Sequence, residues 1–126
     1  MLDKTIVRAA ALLLLSLTFS PIIGCKKGEA RAPATPAEAQ AAMQDAFKQA
    51  NPELKAAADE TAAAIEREPT RALGQLQGIS SNVELTPDQR RAAEQSTLLL
   101  LKKLRDAAAK GDANAEQALE AYRATK

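Results

Sequence analysis

The stretch from Thr86 to Asp112, TPDQRRAAEQSTLLLLKKLRDAAAKGD, holds a helix start, a leucine turn and a helix stop in succession. Thr86 suits an N-cap, because its hydroxyl can accept from an amide that has no partner within the helix. Pro87 fits the first helical position, where a missing N–H is no loss. Gln89, three residues after the threonine, can reach back and close a capping box. Gly111 is a helix-ending glycine, and Asp112 can cap whatever follows. The spacing predicts a helix over about 87–110. Within it, Leu98-Leu99-Leu100-Leu101 places leucine on every side of one turn, and Leu104 extends the apolar surface. A turn apolar all round calls for neighbours all round. This helix is therefore expected at the centre of the fold, with the two preceding helical segments on one side and the last helix or a partner chain on another.

Working outward, the same punctuation recurs. Thr35-Pro36-Ala37-Glu38 repeats the cap, proline and box-closing acid. Asn51-Pro52-Glu53 is a third start, with the acid in the first turn where the helix dipole favours it. Pro69 after Glu68 is a weaker start, or a kink in a continuous helix. Gly78, ahead of Ile79-Ser80-Ser81-Asn82, reads as a stop. The predicted helices are 36–50, 52–67, a short one at 70–78, 87–110 and 113–124. Each of the four besides 87–110 has one apolar stripe: Ala39, Met43, Phe47 and Ala50; Leu54, Ala58, Thr61 and Ile65; Leu73 and Leu76, with Ile79 just after; and, in the last, Ala115, Ala118, Leu119 and Tyr122. Alanine makes up about a quarter of the chain beyond residue 24, which favours helix strongly, and no alternating strand pattern occurs. The fold class is all-α: a small helical bundle or set of helical hairpins, about four or five helices, over residues 36–126.

The core is thin. From residue 25 onward the chain holds 16 large apolar side chains, counting Met, Phe, Leu, Ile, Val and Tyr. Alanine contacts let helices approach closely but bury little area each, and small domains with sparse cores are marginal. Self-association through the 87–110 helix, or docking onto another protein, would cover any side of Leu98–Leu101 that the monomer leaves bare.

The N-terminus has the three parts of a secretory signal. Met1–Arg8 carries Lys4 and Arg8 against Asp3, Ala9–Phe19 is an apolar core interrupted only by Ser16 and Thr18, and Pro21 breaks the helix ahead of small residues. The apolar run Ala9–Ile23 is shorter than the roughly 20 residues a spanning helix needs. Ile22-Ile23-Gly24-Cys25 resembles the lipobox of bacterial lipoproteins, over about the first fifth of the chain. The resemblance implies that the Cys25 thiol takes a diacylglyceryl thioether, that cleavage falls between Gly24 and Cys25, and that the new amino group is acylated. Cys25 is the only cysteine, so no disulfide within the chain competes for it. Two or three acyl chains anchor firmly, each buried methylene contributing about 0.8 kcal/mol. The residue after the cysteine is Lys26, where enterobacterial lipoproteins kept in the inner membrane carry Asp. That resembles the outer-membrane class, on the periplasmic face, with inner-membrane anchoring as the alternative.

Residues 1–24 thus read as a signal peptide and 25–35 as a lipidated cysteine with a linker. The segment Lys26–Thr35 has no large apolar residue to bury, and its ten residues can extend to about 35 Å. Removing 1–24 takes away Lys4, Arg8 and Asp3, leaving fifteen basic and fifteen acidic side chains (17 less two, 16 less one). A neutral mixed surface argues against nucleic acid as partner.

Histidine is absent, which removes the commonest general base and, with the cysteine assigned to lipid, the usual metal and haem ligand sets. No cofactor and no metal are expected. Asp59-Glu60, Glu66 with Glu68, and Glu116 with Glu120 are the nearest to an acid/base pair, but such pairs need a pocket to separate their pKa values; here they read as solvated helix faces. The doublets Arg90-Arg91 and Lys102-Lys103 read the same way, balanced by Asp88, Glu94 and Asp106. The expected function is therefore non-catalytic: a membrane-tethered structural or interaction module, or an accessory subunit that tethers an envelope enzyme. The C-terminus Tyr122-Arg123-Ala124-Thr125-Lys126 is similar to that of Braun-type lipoproteins, whose terminal lysine amine is linked to peptidoglycan. That resemblance would make Lys126 an attachment point. Pro52, Pro69, Pro87, Gly78 and Gly111 depart from it, because they interrupt the long heptad coil of that family.

Overall fold

The computed structural model describes residues 31–126. They form five α-helices: α1 Pro36–Phe47, α2 Pro52–Arg67, α3 Pro69–Ser80, α4 Pro87–Ala109 and α5 Ala113–Ala124. No strand occurs among the described residues. The fold is an all-α bundle.

The helix starts follow the cap chemistry. Thr35 with Glu38 and Thr86 with Gln89 make complete, reciprocal capping boxes. Asn51 accepts from the Leu54 amide at 2.8 Å, and Asp112 accepts from the amides of Asn114 and Ala115 at 2.9 and 3.1 Å. At the end of α4, Gly111 takes φ +93°, the left-handed region where a side chain is strained. Its amide donates to the Ala108 carbonyl, and that of Asp112 to the Ala107 carbonyl. This Schellman pair stops α4 and turns the chain into the cap of α5.

Several boundaries differ from the sequence reading. Pro69 opens a separate helix and does not kink a continuous one. Glu68 sits at φ −134°, ψ 63°, because a residue ahead of proline is pushed out of the α region. Gly78 does not stop α3. The helix runs on through buried Ile79 to Ser80, since a helical glycine costs only about 1 kcal/mol and an isoleucine anchored in the core offsets it. The stop falls at Ser81, whose hydroxyl bonds the Gly78 carbonyl at 2.7 Å. Conversely α1 ends at Phe47, short of 50, because residues 48–51 must turn before Pro52.

The links between helices are four, one, six and three residues long, so successive helices fold back on one another. In space α1, α2, α3 and α4 form a closed ring, each packed on the next and α4 returning to α1, while α5 lies on α4 and touches α3. The neighbours of α4 are thus α1, α3 and α5. The expectation that the second helix would flank it is corrected: α1 takes that place. The core is built from the expected stripes. Met43, Phe47, Ile65, Leu76 and Leu100 are fully enclosed, and Leu73, Ile79, Leu104 and Leu119 are buried around them. Alanines 39, 58, 62, 72 and 93 have no solvent exposure; they are the close-approach surfaces that let so few large side chains fill the interior.

The leucine turn is the main correction. Leu100 is 0% and Leu101 6% exposed, but Leu98 is 66% exposed and Leu99 only partly covered. The ring encloses α4 on three sides and leaves the fourth to solvent. Thr61, Gln89 and Ser96 are buried polar residues, and of these the Ser96 hydroxyl is fully enclosed with no hydrogen-bond partner among the described residues. An unmatched buried hydroxyl costs on the order of 1 kcal/mol or more. Ser96→Ala is accordingly expected to raise stability by about 1 kcal/mol, measured as a shift of the urea midpoint at unchanged slope. A loss of stability would mean that the hydroxyl has a partner, such as an internal water.

Candidate functional site

Gly24 and Cys25, on which the expected lipid attachment rests, lie outside the described residues, as does the first half of the linker after them. Among the described residues no helix is long and apolar enough to cross a membrane.

The carboxylate clusters singled out in the sequence are drawn into surface ion pairs or stand in solvent. Asp59 pairs with Lys55 at 2.6 Å on one turn of α2. Its neighbour Glu60 pairs with Arg71 of α3, which also lies 3.6 Å from Glu68. Glu66, Glu116 and Glu120 are exposed. On α4 the Lys102 ammonium, hydrogen-bonded at 2.8 Å and adding its charge, holds the Asp106 carboxyl below its ordinary value. A carboxylate lowered in this way stabilises the fold above the unfolded-state pKa, and that contribution fades as pH falls through the lowered one. The pair is fully exposed, so it does not organise a site. Among the described residues no group of three or more His, Cys, Asp or Glu is placed to hold a metal ion.

At the C-terminus the Lys126 ammonium lies 5.3 Å from the centre of the Tyr122 ring. Thr125 accepts from the Gln77 amide at 2.8 Å and donates to the Tyr122 carbonyl. The end of α5 is thereby fastened to α3, and the last lysine lies back on the bundle.

A concavity of about 570 Å³ lies between the end of α1 and the start of α4, and the sequence announced neither it nor a second one. The second is a groove of about 560 Å³ between the first half of α2 and the second half of α3, closed at one end by the loop to α4. Leu54, Ala57 and Ile79 supply its apolar lining, and Gly78 leaves its α3 wall without a side chain. Glu53, Glu60 and Glu84 supply carboxylates, and no lysine or arginine lines it. Glu60 is shared with Arg71, whereas Glu53 and Glu84 have no ion-pair partner among the described residues. Gln75 contributes a side-chain oxygen that is buried and accepts no hydrogen bond. The only hint in the sequence is a pair of glycines, Gly74 and Gly78, inside a helix that would be more stable with alanine at both positions. Because helices reverse at each link, the groove lies at the end of the bundle opposite Thr35, where the linker enters.

Comparison with protein-family models, with curated proteins and with solved structures returned no match.

Proposed function

We propose that this protein is a lipoprotein of the bacterial cell envelope, lipid-anchored at Cys25, whose helical domain is a non-catalytic module for protein interaction. The observation that carries the reading is Ile22-Ile23-Gly24-Cys25, placed directly after a signal-like N-terminus and holding the only cysteine of the chain. The outer membrane, periplasmic face, is the favoured location on the lysine that follows the cysteine. Two features of the fold support the second half of the reading. The carboxylates singled out in the sequence either pair with a neighbouring lysine or arginine or stand in solvent, without the enclosing pocket an acid/base couple needs. The groove faces away from the linker, so a tethered domain would offer it to partners on the side away from the membrane. The bundle of short helices and the packing of Lys126 against Tyr122 weigh against a Braun-type tether, which needs a long coil with a free terminal lysine.

The test is phase separation of a cell extract in a clouding detergent, followed by density fractionation of the membranes. The protein is expected in the detergent phase and with the outer membrane. Recovery in the aqueous phase would overturn the anchor, and recovery with the inner membrane would overturn the location alone.

A further inference from the structure

We infer that the α2–α3 groove is a docking site for a short, basic amphipathic helix of a partner protein, seated with its apolar stripe on Leu54, Ala57 and Ile79 and its lysines or arginines against Glu53 and Glu84.

The dimensions suit such an occupant. From Glu53 to Thr61 the α2 wall is nine residues of helix, roughly 12 Å, or about two turns. A helix laid in a groove is anchored by residues spaced over that same length. The lining is apolar at its base and anionic at its edge, with two carboxylates lacking cationic partners. Glu53 owes part of its place to the positive end of α2, but Glu84 belongs to no helix and has no such reason. A positively charged occupant satisfies both carboxylates, and an acidic one satisfies neither.

Gly78 supplies an independent argument. A Cβ built there meets nothing within 4 Å, so packing inside the bundle does not require glycine. Its φ is also ordinary for a helix, unlike that of Gly111. A position that loses helix stability without an internal reason is explained if a side chain would fill the space a partner uses. Gly74 is equally unhindered but does not line the groove, and nothing in the structure explains it.

This inference rests on the reading of the domain as an interaction module, though not on the lipid anchor. The test uses the full chain solubilised in detergent and fluorescent synthetic peptides. One peptide has leucines at i, i+3, i+4 and i+7 with lysines elsewhere, the second replaces every lysine by glutamate, and spermine serves as a small polycation. The parent is expected to bind the lysine peptide and not the glutamate peptide, with spermine failing to displace it. Gly78→Leu, which fills the groove, should weaken binding at least about tenfold while melting at or above the parent temperature. Glu53→Lys combined with Glu84→Lys, both at exposed positions, should also weaken binding at least about tenfold, with the difference narrowing as salt rises, at the cost of a few degrees in melting temperature from the lysine at the α2 N-terminus. Absence of lysine-peptide binding by the parent overturns the inference. So does parent-like binding by either folded variant, equal binding of the glutamate peptide, or displacement by spermine. Membrane partition of the same preparation reads the anchor separately, so failure of the groove and failure of the anchor are distinguishable.

Discussion

Leu100→Asp is expected to unfold the domain or leave it molten at room temperature, while Leu98→Asp, two residues away, should melt within a few degrees of the parent. Leu100 has no solvent exposure. It belongs to the apolar cluster in which α4 packs against its neighbours. Enclosing a carboxylate there costs several kcal/mol, and a bundle with so few large apolar side chains has a total stability of only about 5–15 kcal/mol. Leu98 is two-thirds exposed on the same helix, so a charge there loses little hydration and little packing, within about 0.5–1 kcal/mol. Lys102→Ala removes one exposed ion pair and should stay in the same small range. Thermal melts followed by circular dichroism at 222 nm check all three. If Leu100→Asp melts like the parent, α4 is not the centre of the core. If Leu98→Asp collapses as well, that face of α4 is covered by a partner or a second copy, and the leucine turn is enclosed after all.

The contrast between these two leucines shows where a sequence stops being informative. Four consecutive leucines point in directions about 100° apart, and nothing local states which direction the fold leaves empty. That is decided by the return of α4 to α1, a contact between segments some forty residues apart with no trace in either cap or stripe. Local chemistry was legible because it is self-contained. Thr35, Thr86, Asn51 and Asp112 each satisfy amides within three residues of themselves, and Gly111 is required by a single turn. Gly78 was misread for the complementary reason. As a local signal a glycine suggests an end, but Ile79 beyond it is held by the core and carries the helix past it. The groove lay further out of reach, since its walls are Glu53–Thr61 and Gln75–Glu84 and become neighbours only when α3 folds back on α2 at Glu68.

The second large effect is expected at Cys25, and it is an effect on location and not on folding. Cys25→Ala leaves the charged and apolar parts of the N-terminus intact, so export should proceed. The acyl acceptor is gone, and a peptidase that requires the thioether has no substrate. The precursor should then accumulate uncleaved, or be released as soluble protein by ordinary signal cleavage. On the proposed reading, membrane partition would fall from nearly complete to nearly none in the released form, since the acyl chains would supply the anchoring energy. The melting curve should match that of the parent, because position 25 precedes a ten-residue segment with no large apolar side chain and the bundle begins at Thr35. Cys25→Ser, nearly the same size but unable to form the thioether, should behave like Cys25→Ala. Partition that persisted in both variants at unchanged mobility would identify residues 9–23 as an uncleaved anchor.

The measurement that meets the central claim most directly is the mass of the N-terminal peptide of the membrane-extracted protein. The account predicts a peptide that begins at Cys25 and carries the added mass of a diacylglyceryl group, with or without a further acyl chain on its amino group. A peptide that begins at Met1, or one that begins near residue 25 with an unmodified thiol, would contradict it.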